Sequence, residues 1–291
     1  MARGTVTARC RRRALPELPE VEITRRHLEA AMVGRVMSDV SIRHQRTSRH
    51  NASPDEVEAL LTGRLVRSVG RHGKFLLIGL DDEHTLVGHL GMSGRFSVVD
   101  HDAETEPHTH FVARLDDGHE VRFVDPRTFG FIAVFDEDEL GRSGVGRLGP
   151  DAFDSPPSAN DLAERLKGRS APIKALLLDQ GPVSGLGNIY ADEALFGAGI
   201  HPISEGGELG VSEIAALLDS VRTVLGRAIE NGGTTLDDLA YLLPDGRAGD
   251  NMTVLSVYGR TGEPCVDCGR PIERIIIRGR STHFCPICQQ R

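Results

Sequence analysis

The sequence predicts an α+β protein of several domains: an N-terminal helix with an antiparallel β-sandwich, then a helical domain, then a cysteine-bounded C-terminal module. Three observations predict this. Short strand-like segments fill residues 36–135, helical periodicity replaces them beyond residue 157, and four cysteines lie within the last thirty residues. At 291 residues the chain exceeds a typical single domain, so two domains and a small module are the natural expectation.

Charge and hydropathy narrow the class of protein. The net charge is −8, which argues weakly against a nucleic-acid partner. A DNA-binding function therefore needs a basic face concentrated against an acidic remainder, because binding depends on local charge rather than the total. No apolar run approaches the ~18 residues of a membrane span, and nothing resembles a secretory signal. We expect a soluble, intracellular protein.

Residues 1–14 form an arginine-rich leader without acidic residues or an apolar period. Such a composition is typical of a transit peptide, and also of a basic DNA-binding tail. A third interpretation is that translation starts at Leu15 and that the initiator methionine is trimmed before the small residue Pro16. The difference matters because a proline nitrogen is an inert tertiary amide inside a chain and a secondary amine at a chain start.

A helix and a series of strands follow the leader. Apolar positions recur at helical spacing from Val21 to Ala31, and Pro19 suits a first turn, so a helix is predicted to run to about Met32. Residues 36–135 are predicted to be β structure, with Asp116-Asp117-Gly118 as the clearest hairpin turn. The predicted strands are 36–42, 65–69, 75–80, 85–90, 95–99, 111–115, 120–123 and 131–135.

The pattern becomes helical after a segment rich in Gly, Pro and Ser, which is predicted to be a linker. Ser158 with Asp161 is typical of a capping box, and an amphipathic helix from Ser212 to Asn231 ends at Gly232-Gly233. Shorter helices are predicted at 173–178 and 188–196. We therefore divide the chain into a leader, a β-sandwich domain, a linker, a helical domain and the cysteine module. Their predicted bounds are 1–14, 15–140, 141–157, 158–255 and 256–291.

The C-terminal cysteines predict a metal site. Cys265-x-x-Cys268 and Cys285-x-x-Cys288 are separated by sixteen residues, which is the spacing of a four-thiolate zinc ribbon. Two disulfides or free thiols are the alternatives, and zinc is favoured over both in an intracellular chain. We expect one structural Zn²⁺, because four thiolates leave no open coordination position for catalysis.

Taken together, the motifs resemble the formamidopyrimidine-DNA glycosylase (Fpg/Nei) family of base-excision repair enzymes over about residues 15–291. Each motif is weak alone, and their joint occurrence in this order is highly specific. The resemblance implies a helix on a β-sandwich, a helical domain with a helix–two-turn–helix element, and a zinc ribbon. The motifs are Pro16-Glu17-Leu18-Pro19-Glu20-Val21-Glu22, Gly73-Lys74-Phe75, His89-Leu90-Gly91-Met92-Ser93-Gly94, Asp125-Pro126-Arg127-Thr128-Phe129-Gly130, Gly185-Leu186-Gly187-Asn188-Ile189-Tyr190-Ala191, and the ribbon from Tyr258 to Cys288.

The resemblance also implies a mechanism. Active members of the family begin with the proline, which favours initiation at Leu15. Pro16 is then implied to attack the sugar C1′ of the damaged nucleotide and expel the base, leaving an iminium ion that permits β- and δ-elimination. The pKa of an unperturbed α-amino group is roughly 8, against ~10.4 for lysine, so more of it is free base at neutral pH. Glu17 is implied to be the general acid/base, and Glu20 either braces the site or is a helix N-terminal charge.

Three further residues match the family's phosphate-binding positions. Lys74 matches a β-hairpin lysine that contacts phosphate and is also assigned an acid role in elimination. Arg280 matches the ribbon arginine that binds the phosphates flanking the lesion and is assigned as the proton donor of δ-elimination. A guanidinium is a poor proton source, so the phosphate role is favoured. Asn188 is implied to capture phosphate through backbone N–H groups and its side-chain amide.

An enzyme that acts on a base must take it out of the stack. Met92, Arg127 and Phe129 match the residues that fill the void: an apolar wedge, a guanidinium for the orphaned partner base, and a ring that stacks. On their own, a Met and a Phe more often belong to a core. The other positions that match DNA contacts or basic groups near the lesion are His89, His108, Arg169 and Lys174.

The implied function is a bifunctional DNA glycosylase and AP lyase. It would excise oxidised purines, such as 8-oxoguanine and formamidopyrimidines, from double-stranded DNA and also act on abasic sites. We expect it to be a monomer in a bacterial cytoplasm, associated with the nucleoid.

Two departures from the family pattern leave alternative functions open. Asp250-Asn251 stand where the lesion loop usually has an aromatic residue, so an endonuclease VIII-like specificity for oxidised pyrimidines is one alternative. A catalytically inactive DNA-binding paralogue is the other, if the leader is retained.

Overall fold

The structure is a computed structural model that describes residues 16–235 and 246–290. The predicted leader and Leu15 lie outside the described residues. The helices are α1 (Leu18–Met32), α2 (Pro54–Leu61), α3 (Glu137–Arg142), α4 (Ala159–Leu166), α5 (Ile173–Leu177), α6 (Asn188–Gly197) and α7 (Val211–Glu230). The strands are β1 (Met37–Ile42), β2 (Val66–His72), β3 (Phe75–Leu80), β4 (Thr85–His89), β5 (Arg95–Asp100), β6 (Thr109–Leu115), β7 (His119–Val124), β8 (Phe131–Phe135), β9 (Glu273–Ile277) and β10 (Arg280–Phe284).

Helix α1 connects the two large hydrophobic cores. Pro19 lies in its first turn, where the missing N–H costs no hydrogen bond. Leu18 is buried in the core of the helical domain, whereas Val21 and Leu28 are buried in the core of the β-sandwich. The start of α1 therefore lies at the junction of the two domains, and Pro16 and Glu17 lie there with it.

The predicted antiparallel β-sandwich is confirmed. One sheet has the strand order β1-β6-β7-β5 and the other has β2-β3-β4-β8, with every pairing antiparallel. Burial alternates strictly along β3, as expected of a strand with one face on the core. The turn between β2 and β3 carries Lys74, and the hairpin turn at Gly118 joins β6 to β7 with a φ of 91°.

Helix α2 differs from the prediction, which assigns the whole of 36–135 to strands. Ser53 caps the helix by accepting a hydrogen bond from Glu56 N at 3.1 Å, and Pro54 occupies its first turn. Val57 and Leu61, four residues apart, are buried in the sandwich core. These start signals are local and present in the sequence, and the strand-rich surroundings obscured them.

The helical domain follows the predicted pattern closely. Asp161 N donates to Ser158 Oγ at 3.1 Å, which confirms the capping box of α4. Helix α7 ends at Glu230 and is followed by Gly232 and Gly233 with φ of 74° and 78°, conformations that favour glycine. The ribbon strands β9 and β10 form a separate two-stranded sheet that packs against α6. In the part of the chain that is described, no helix has the length and apolar character needed to cross a bilayer.

Candidate active site

The first turn of α1 places two buried carboxyl groups beside Pro16. Pro16 is buried, and Glu17 is only 1% exposed although it carries an ionisable group. The Glu17 N–H donates a hydrogen bond to Glu20 Oε2 at 2.8 Å. The peptide that follows Pro16 is therefore fixed by a side chain one turn further along the same helix.

The Glu17 carboxylate lies at the N-terminus of α6. It accepts hydrogen bonds from the N–H groups of Gly187 (2.7 Å), Ile189 (2.9 Å) and Tyr190 (3.4 Å). The first N–H groups of a helix have no partner within the helix, and its dipole favours an anion at that end. The family resemblance implies a phosphate at these N–H groups, whereas in the structure they hold Glu17. Helix α6 thus positions the expected general acid/base.

Two glycines before α6 make this contact possible. A Cβ at position 187 would lie 2.3 Å from the carboxyl carbon of Glu17, so any side chain there would displace the carboxylate. Gly185 has a φ of 107°, and a Cβ there would lie 2.4 Å from Leu18 Cδ1. The Gly185 carbonyl also accepts from Leu18 N at 3.1 Å. The Gly-x-Gly pattern therefore permits a close approach between α1 and α6.

Lys74 is held in the turn between β2 and β3 by a buried arginine. Arg71 Nη1 donates to the Gly73 carbonyl at 2.9 Å, and Gly73 N donates to Asp151 Oδ2 at 2.8 Å. Arg71 Nη1 also binds Asp151 Oδ2 directly at 2.5 Å, with the Arg71 side chain fully buried. Because Asp151 lies in the segment that leads into the helical domain, this ion pair links the Lys74 turn to the helices.

Burial and neighbouring charge shift the pKa values of Glu17 and Lys74. Burial raises the pKa of Glu17, and the opposing effects of Lys74 and the three backbone N–H groups do not overcome it. Burial lowers the pKa of Lys74, and Glu17 and Glu20 oppose that shift while Arg280 adds to it. Both shifts favour the neutral forms, a protonated carboxyl and an uncharged amine. The two groups are therefore suited to exchange protons with a substrate.

Glu20 connects the proline turn to two other parts of the helical domain. Its Oε1 accepts from the Tyr190 hydroxyl at 2.6 Å and from Thr234 N at 2.8 Å, while its Oε2 binds Glu17 N. Burial raises the pKa of Glu20 to about 7; the charge of Glu17 adds to this effect and the hydrogen bonds oppose it. Of the two roles considered from sequence, these contacts favour the brace.

The departure at Asn251 belongs to the same hydrogen-bond network. Asn251 is buried, its Nδ2 donates to Thr234 Oγ1 at 3.0 Å, and Thr234 Oγ1 lies 2.9 Å from the Tyr190 hydroxyl. The Asn251 side chain is thus directed into the protein. The predicted lesion loop spans residues 244–251, and its first two residues lie outside the described residues.

The tip of the zinc ribbon is anchored from beneath by a buried lysine. Lys174 is fully buried, and its Nζ binds Asp192 Oδ1 at 2.6 Å, the Ser281 carbonyl at 2.8 Å and Thr282 Oγ1 at 3.0 Å. Lys174 therefore acts within the protein, directly under the exposed Arg280. The family resemblance places Lys174 among the basic groups near the lesion. The sequence does not reveal its ion pair with Asp192.

Asn188 lies beside the same ribbon strand. Its Nδ2 is 3.5 Å from Ser281 Oγ, and its Oδ1 is buried without a hydrogen-bond partner among the described residues. The amide is therefore poorly satisfied within the protein, as expected of a group that binds a ligand. Arg280, next to Ser281, follows the two-residue turn of Arg278 and Gly279, both of which have positive φ.

The three void-filling candidates lie on two loops held together by Asp125. Asp125 accepts from Ser93 Oγ at 2.7 Å, from Arg127 N at 3.2 Å and from Gly130 N at 2.7 Å. Ser93 directly follows Met92, so this one carboxylate fixes both loops.

The two loops also touch through their glycines. A Cβ at Gly91 would lie 2.3 Å from Gly130 N, so the loop that carries Met92 packs on the loop that carries Phe129. The Arg127 guanidinium lies 5.0 Å from the Phe129 ring centroid, and Phe129 is 40% exposed. An exposed phenylalanine on a braced loop is suited to stacking on a base.

The remaining predicted DNA contacts lie in different environments. His89 stacks on Phe131 with ring centroids 5.5 Å apart, and its pKa is lowered to about 4 by burial, with Lys74, Arg49 and His50 adding to the effect. Its Nδ1 accepts from Gly91 N at 3.1 Å, so the neutral ring carries its proton on Nε2, where it can donate to a phosphate. His108 is exposed with a φ of 64°, and Arg169 is exposed and pairs with Asp179 at 3.5 Å.

Sequence reasoning missed four residues that hold the site. Arg71 and Asp151 fix the Lys74 turn, and Arg46 and Arg49 contact the loop of residues 127–130. Three of the four are arginines in strand or turn segments, where a single arginine is usually a solvated side chain. Their partners are 80 or more residues away in the chain, so no local spacing identifies them.

The four predicted zinc ligands come together. The Sγ atoms of Cys265, Cys268, Cys285 and Cys288 all lie within 4.8 Å of one another. Cys265 and Cys288 are 3.9 Å apart and Cys268 and Cys285 are 3.5 Å apart at sulfur. Tetrahedral Zn–S bonds of ~2.3 Å place sulfurs roughly 3.8 Å apart, so the four thiolates fit one zinc ion. Zinc there would connect the two turns that carry the ribbon hairpin.

Three family models match the chain in order. The formamidopyrimidine-DNA glycosylase N-terminal domain matches residues 15–132, and the H2TH domain of the same enzymes matches residues 148–239. The zinc finger found in FPG and IleRS matches residues 262–291. Together these matches cover most of the chain.

Relatives and solved structures agree over nearly the full length. The chain is 45% identical to the formamidopyrimidine-DNA glycosylase of Herpetosiphon aurantiacus, over 94% of this chain and 100% of the relative. It superposes on Lactococcus lactis Fpg with Fapy-dG containing DNA at a TM-score of 0.84 and 34% identity, covering 94% of this chain and all of that one. The complex of that protein with an abasic site containing DNA gives 0.85 and 34%, covering 95% and 100%.

Proposed function

Because the chain belongs to the formamidopyrimidine-DNA glycosylase family, we propose that it excises oxidised purines from double-stranded DNA and then cleaves the abasic site by β,δ-elimination. The observation that carries this proposal is the Glu17 carboxyl group. It is buried next to Pro16, held by three N–H groups of α6, and close enough to Lys74 for the two charges to interact. Related structures with Fapy-dG and abasic-site DNA support the substrate class.

The nucleophile is the nitrogen of Pro16, provided that the mature chain begins there. The family match starts at residue 15, which supports initiation at Leu15 and removal of the initiator methionine before Pro16. As a secondary amine, Pro16 forms a bond to C1′ of the damaged nucleotide while the N-glycosidic bond breaks, and the proton that the Pro16 nitrogen loses neutralises the departing base. Loss of the ring oxygen from C1′ then produces an iminium ion between Pro16 and the opened sugar.

Glu17 protonates the ring oxygen as the sugar opens. Its raised pKa keeps more of the carboxyl protonated near neutral pH than in free glutamic acid, as a general acid requires. Its N–H is fixed by Glu20, and its carboxyl oxygens are fixed by α6. The acid therefore stays in one place while the sugar moves.

The iminium ion acidifies C2′, so that a proton is lost there and the 3′ phosphate leaves; a second elimination then releases the 5′ phosphate. Lys74, whose pKa is lowered, is suited to proton transfer in these steps, whereas Arg280 and Asn188 bind the phosphates. Met92, Arg127 and Phe129 occupy the gap left by the extruded nucleotide. The four-cysteine zinc site keeps the ribbon folded so that Arg280 is presented.

The test of this mechanism is covalent trapping. Purified protein with a mass showing Pro16 as its first residue should form a borohydride-stable adduct with DNA that contains 8-oxoguanine opposite cytosine. A Pro16→Gly variant should trap far less. Native protein that begins at Met1 or Ala2 and forms no adduct would overturn the enzymatic proposal in favour of a DNA-binding paralogue.

Asn251 motivates a second candidate specificity. It stands where an aromatic residue is usual, and it is buried against Thr234 instead of facing a base. An oxidised-pyrimidine substrate is the alternative. Duplexes with 8-oxoguanine or with dihydrouracil, compared under single-turnover conditions, distinguish the two, and faster nicking of dihydrouracil would reverse the purine assignment. In either case we propose that the protein works in a bacterial cytoplasm, at the nucleoid.

A further inference from the structure

Residues 43–50, between β1 and α2, form a basic segment that the proposed function does not use; we call it the basic turn. It contains three arginines and two histidines and no acidic residue. All five of these basic side chains are exposed. In a chain with a net charge of −8, such a segment is a local exception to the overall charge.

The basic turn forms hydrogen bonds with the loop that carries Arg127 and Phe129. Arg46 Nε donates to the Thr128 carbonyl at 3.0 Å, and its guanidinium lies 5.9 Å from the centroid of the Phe129 ring. Arg49 Nη2 donates to the Phe129 carbonyl at 2.9 Å and its Nη1 to the Gly130 carbonyl at 2.6 Å. Two cationic groups are thus fixed directly behind the void-filling loop.

Within the described residues, no carboxylate forms an ion pair with either arginine. Across residues 16–235 and 246–290, Arg46 and Arg49 form no ion pair, whereas the arginines at 25, 35, 64, 95 and 114 each pair with an acid. The carbonyl oxygens that they contact satisfy donors and supply no countercharge. Asp125 lies nearby, but its oxygens already accept from Ser93, Arg127 and Gly130. Partial burial and the charge of Arg46 lower the pKa of Arg49, and the charge of Asp125 opposes this shift without overcoming it.

The basic turn also lines a depression of about 650 Å³ whose rim includes His44, Arg46, Ser48, Arg49 and Asn51. Two guanidinium groups beside an open depression with no acidic residue in its lining suit an anion with several acceptor oxygens. A phosphodiester has this character. His44 continues the basic surface toward His110, with ring centroids 4.9 Å apart.

The position of the basic turn relative to Arg127 indicates which DNA strand it contacts. In the proposed function, Arg127 pairs with the orphaned base, and Arg46 and Arg49 contact the same loop at residues 128–130, so they lie on the side of the strand that carries this base. The predicted phosphate contacts of the damaged strand, Lys74 and Arg280, lie with Glu17. We infer that the basic turn, through Arg46 and Arg49, binds a backbone phosphate of the undamaged strand opposite the lesion. This inference rests on the proposed function.

The first experiment compares an Arg46→Gln/Arg49→Gln variant with wild type and with Arg67→Gln. Arg67 is exposed at the end of β2 away from the Lys74 turn, and it serves as a control for the loss of an exposed positive charge elsewhere on the surface. Affinity for a duplex with a non-cleavable abasic analogue is measured at several salt concentrations. We expect the double variant to bind about tenfold more weakly and its slope of log K against log salt to fall by about one, as for one lost phosphate contact. Arg67→Gln should match wild type.

Single-stranded DNA with the same abasic site provides the internal comparison. The double variant should form the borohydride adduct with it as well as wild type does, because the undamaged strand is absent. Equal loss on single and double strands would overturn the inference. If wild-type protein forms no adduct with any DNA, the proposed chemistry fails, while the salt slopes on duplex still decide the phosphate contact.

The effect of losing the Arg49 charge must also be distinguished from the effect of losing its hydrogen bonds to the loop. Arg49→Lys keeps the charge but cannot contact two carbonyls in the same way. It should keep the wild-type salt slope if the phosphate contact is real, and an Arg49→Lys slope as low as that of Arg49→Gln would overturn the inference. Uncharged methylphosphonates placed singly along the undamaged strand should weaken wild type at one or two positions and leave the double variant unaffected there. No sensitive position on that strand would also overturn it.

Discussion

Two buried carboxylates, Glu17 and Asp125, organise the two ends of the site in similar ways. Each accepts three hydrogen bonds, and each is about 1% exposed. The donors to Glu17 come from α6 in another domain, some 170 residues away in the chain. The donors to Asp125 come from two loops of its own domain. Glu17 connects two domains at the end of the site that carries Pro16, and Asp125 connects two loops at the end that carries Met92 and Phe129.

The difference lies in what else surrounds each group. Glu17 lies beside Pro16 and within range of the charge of Lys74, and burial raises its pKa. The Asp125 carboxylate accepts its hydrogen bonds from Ser93, Arg127 and Gly130, which lie on the loops that it positions. In the proposed function, a buried acceptor with convergent donors therefore supports chemistry at Glu17 and the shape of two loops at Asp125. Substitutions at or beside each carboxylate test this difference.

Glu17→Gln should have the largest effect. The amide keeps the size of the side chain but cannot supply a proton, so base excision should fall about 10²–10⁴-fold, the usual contribution of a general acid. Affinity for a non-cleavable abasic duplex should stay near that of wild type. Single-turnover cleavage and binding titrations measure the two quantities, and an equal loss of both would assign Glu17 a purely structural role.

Gly187→Ala should come next. The added Cβ would lie 2.3 Å from the Glu17 carboxyl carbon, so the acid must move away from the N–H groups of α6. A displacement of about 1 Å can cost about 10²-fold in rate. The matched control is Gly141→Ala, where a Cβ meets nothing within 4 Å and φ is not positive. Wild-type excision by Gly187→Ala would contradict the described contact between α1 and α6.

Asp125→Asn should weaken lesion binding more than chemistry. One oxygen becomes a donor, so Ser93 or Gly130 loses its acceptor at a cost of about 1–3 kcal/mol. The affinity for a lesion duplex should fall by about one order of magnitude, whereas cleavage of a single-stranded abasic site should stay unchanged. Equal losses on both substrates would mean that Asp125 also supports the reactive end.

Glu20 should produce a smaller effect, on stability and its pH dependence. Its pKa is raised from 4.5 to about 7 in the folded state, so the folded protein binds a proton that the unfolded chain releases between these values. Its contribution to stability is fully present below pH 4.5 and is lost as pH rises through about 7, at about 1 kcal/mol per pH unit.

Glu20→Gln should remove this slope whatever its own baseline stability. Urea unfolding at pH values between 5 and 8 measures the slope for both proteins. Parallel pH profiles for wild type and variant would show that Glu20 ionises normally. Tyr190→Phe removes the hydroxyl that donates to Glu20, so it should alter the pH profile of stability. Asp125→Asn should keep the slope of the wild-type profile.

Much of the fold was accessible from the sequence because its signals are local. The eight sandwich strands lie within a few residues of their predicted positions, since alternation and turn residues are encoded in short windows. Helix α2 is not predicted, although Ser53 and Pro54 mark its start, because the segments on both sides of it have the pattern of β-strands. The zinc ligands were found from spacing alone, and their sulfurs converge in the structure.

The site was accessible only in part. Family resemblance located Glu17, Lys74 and Arg280 as a group, and the structure brings their charges within interaction range. The role of Lys174 could not be inferred, because its burial and its contact with Asp192 depend on how the ribbon packs on α6. The brace at Glu20 was one of two alternatives until its partners Tyr190 and Thr234 were known.

Local signals predict the eight sandwich strands, most of the helices and the four clustered cysteines, because these depend on residue type and on spacing over a few residues. The reactive groups are predicted only by family resemblance. The contacts of Glu17 with α6, of Asp125 with two loops, and of Arg46 and Arg49 with residues 128–130 are visible only in the folded structure. The partners in these contacts are distant in the chain, and only packing of the cores brings them together.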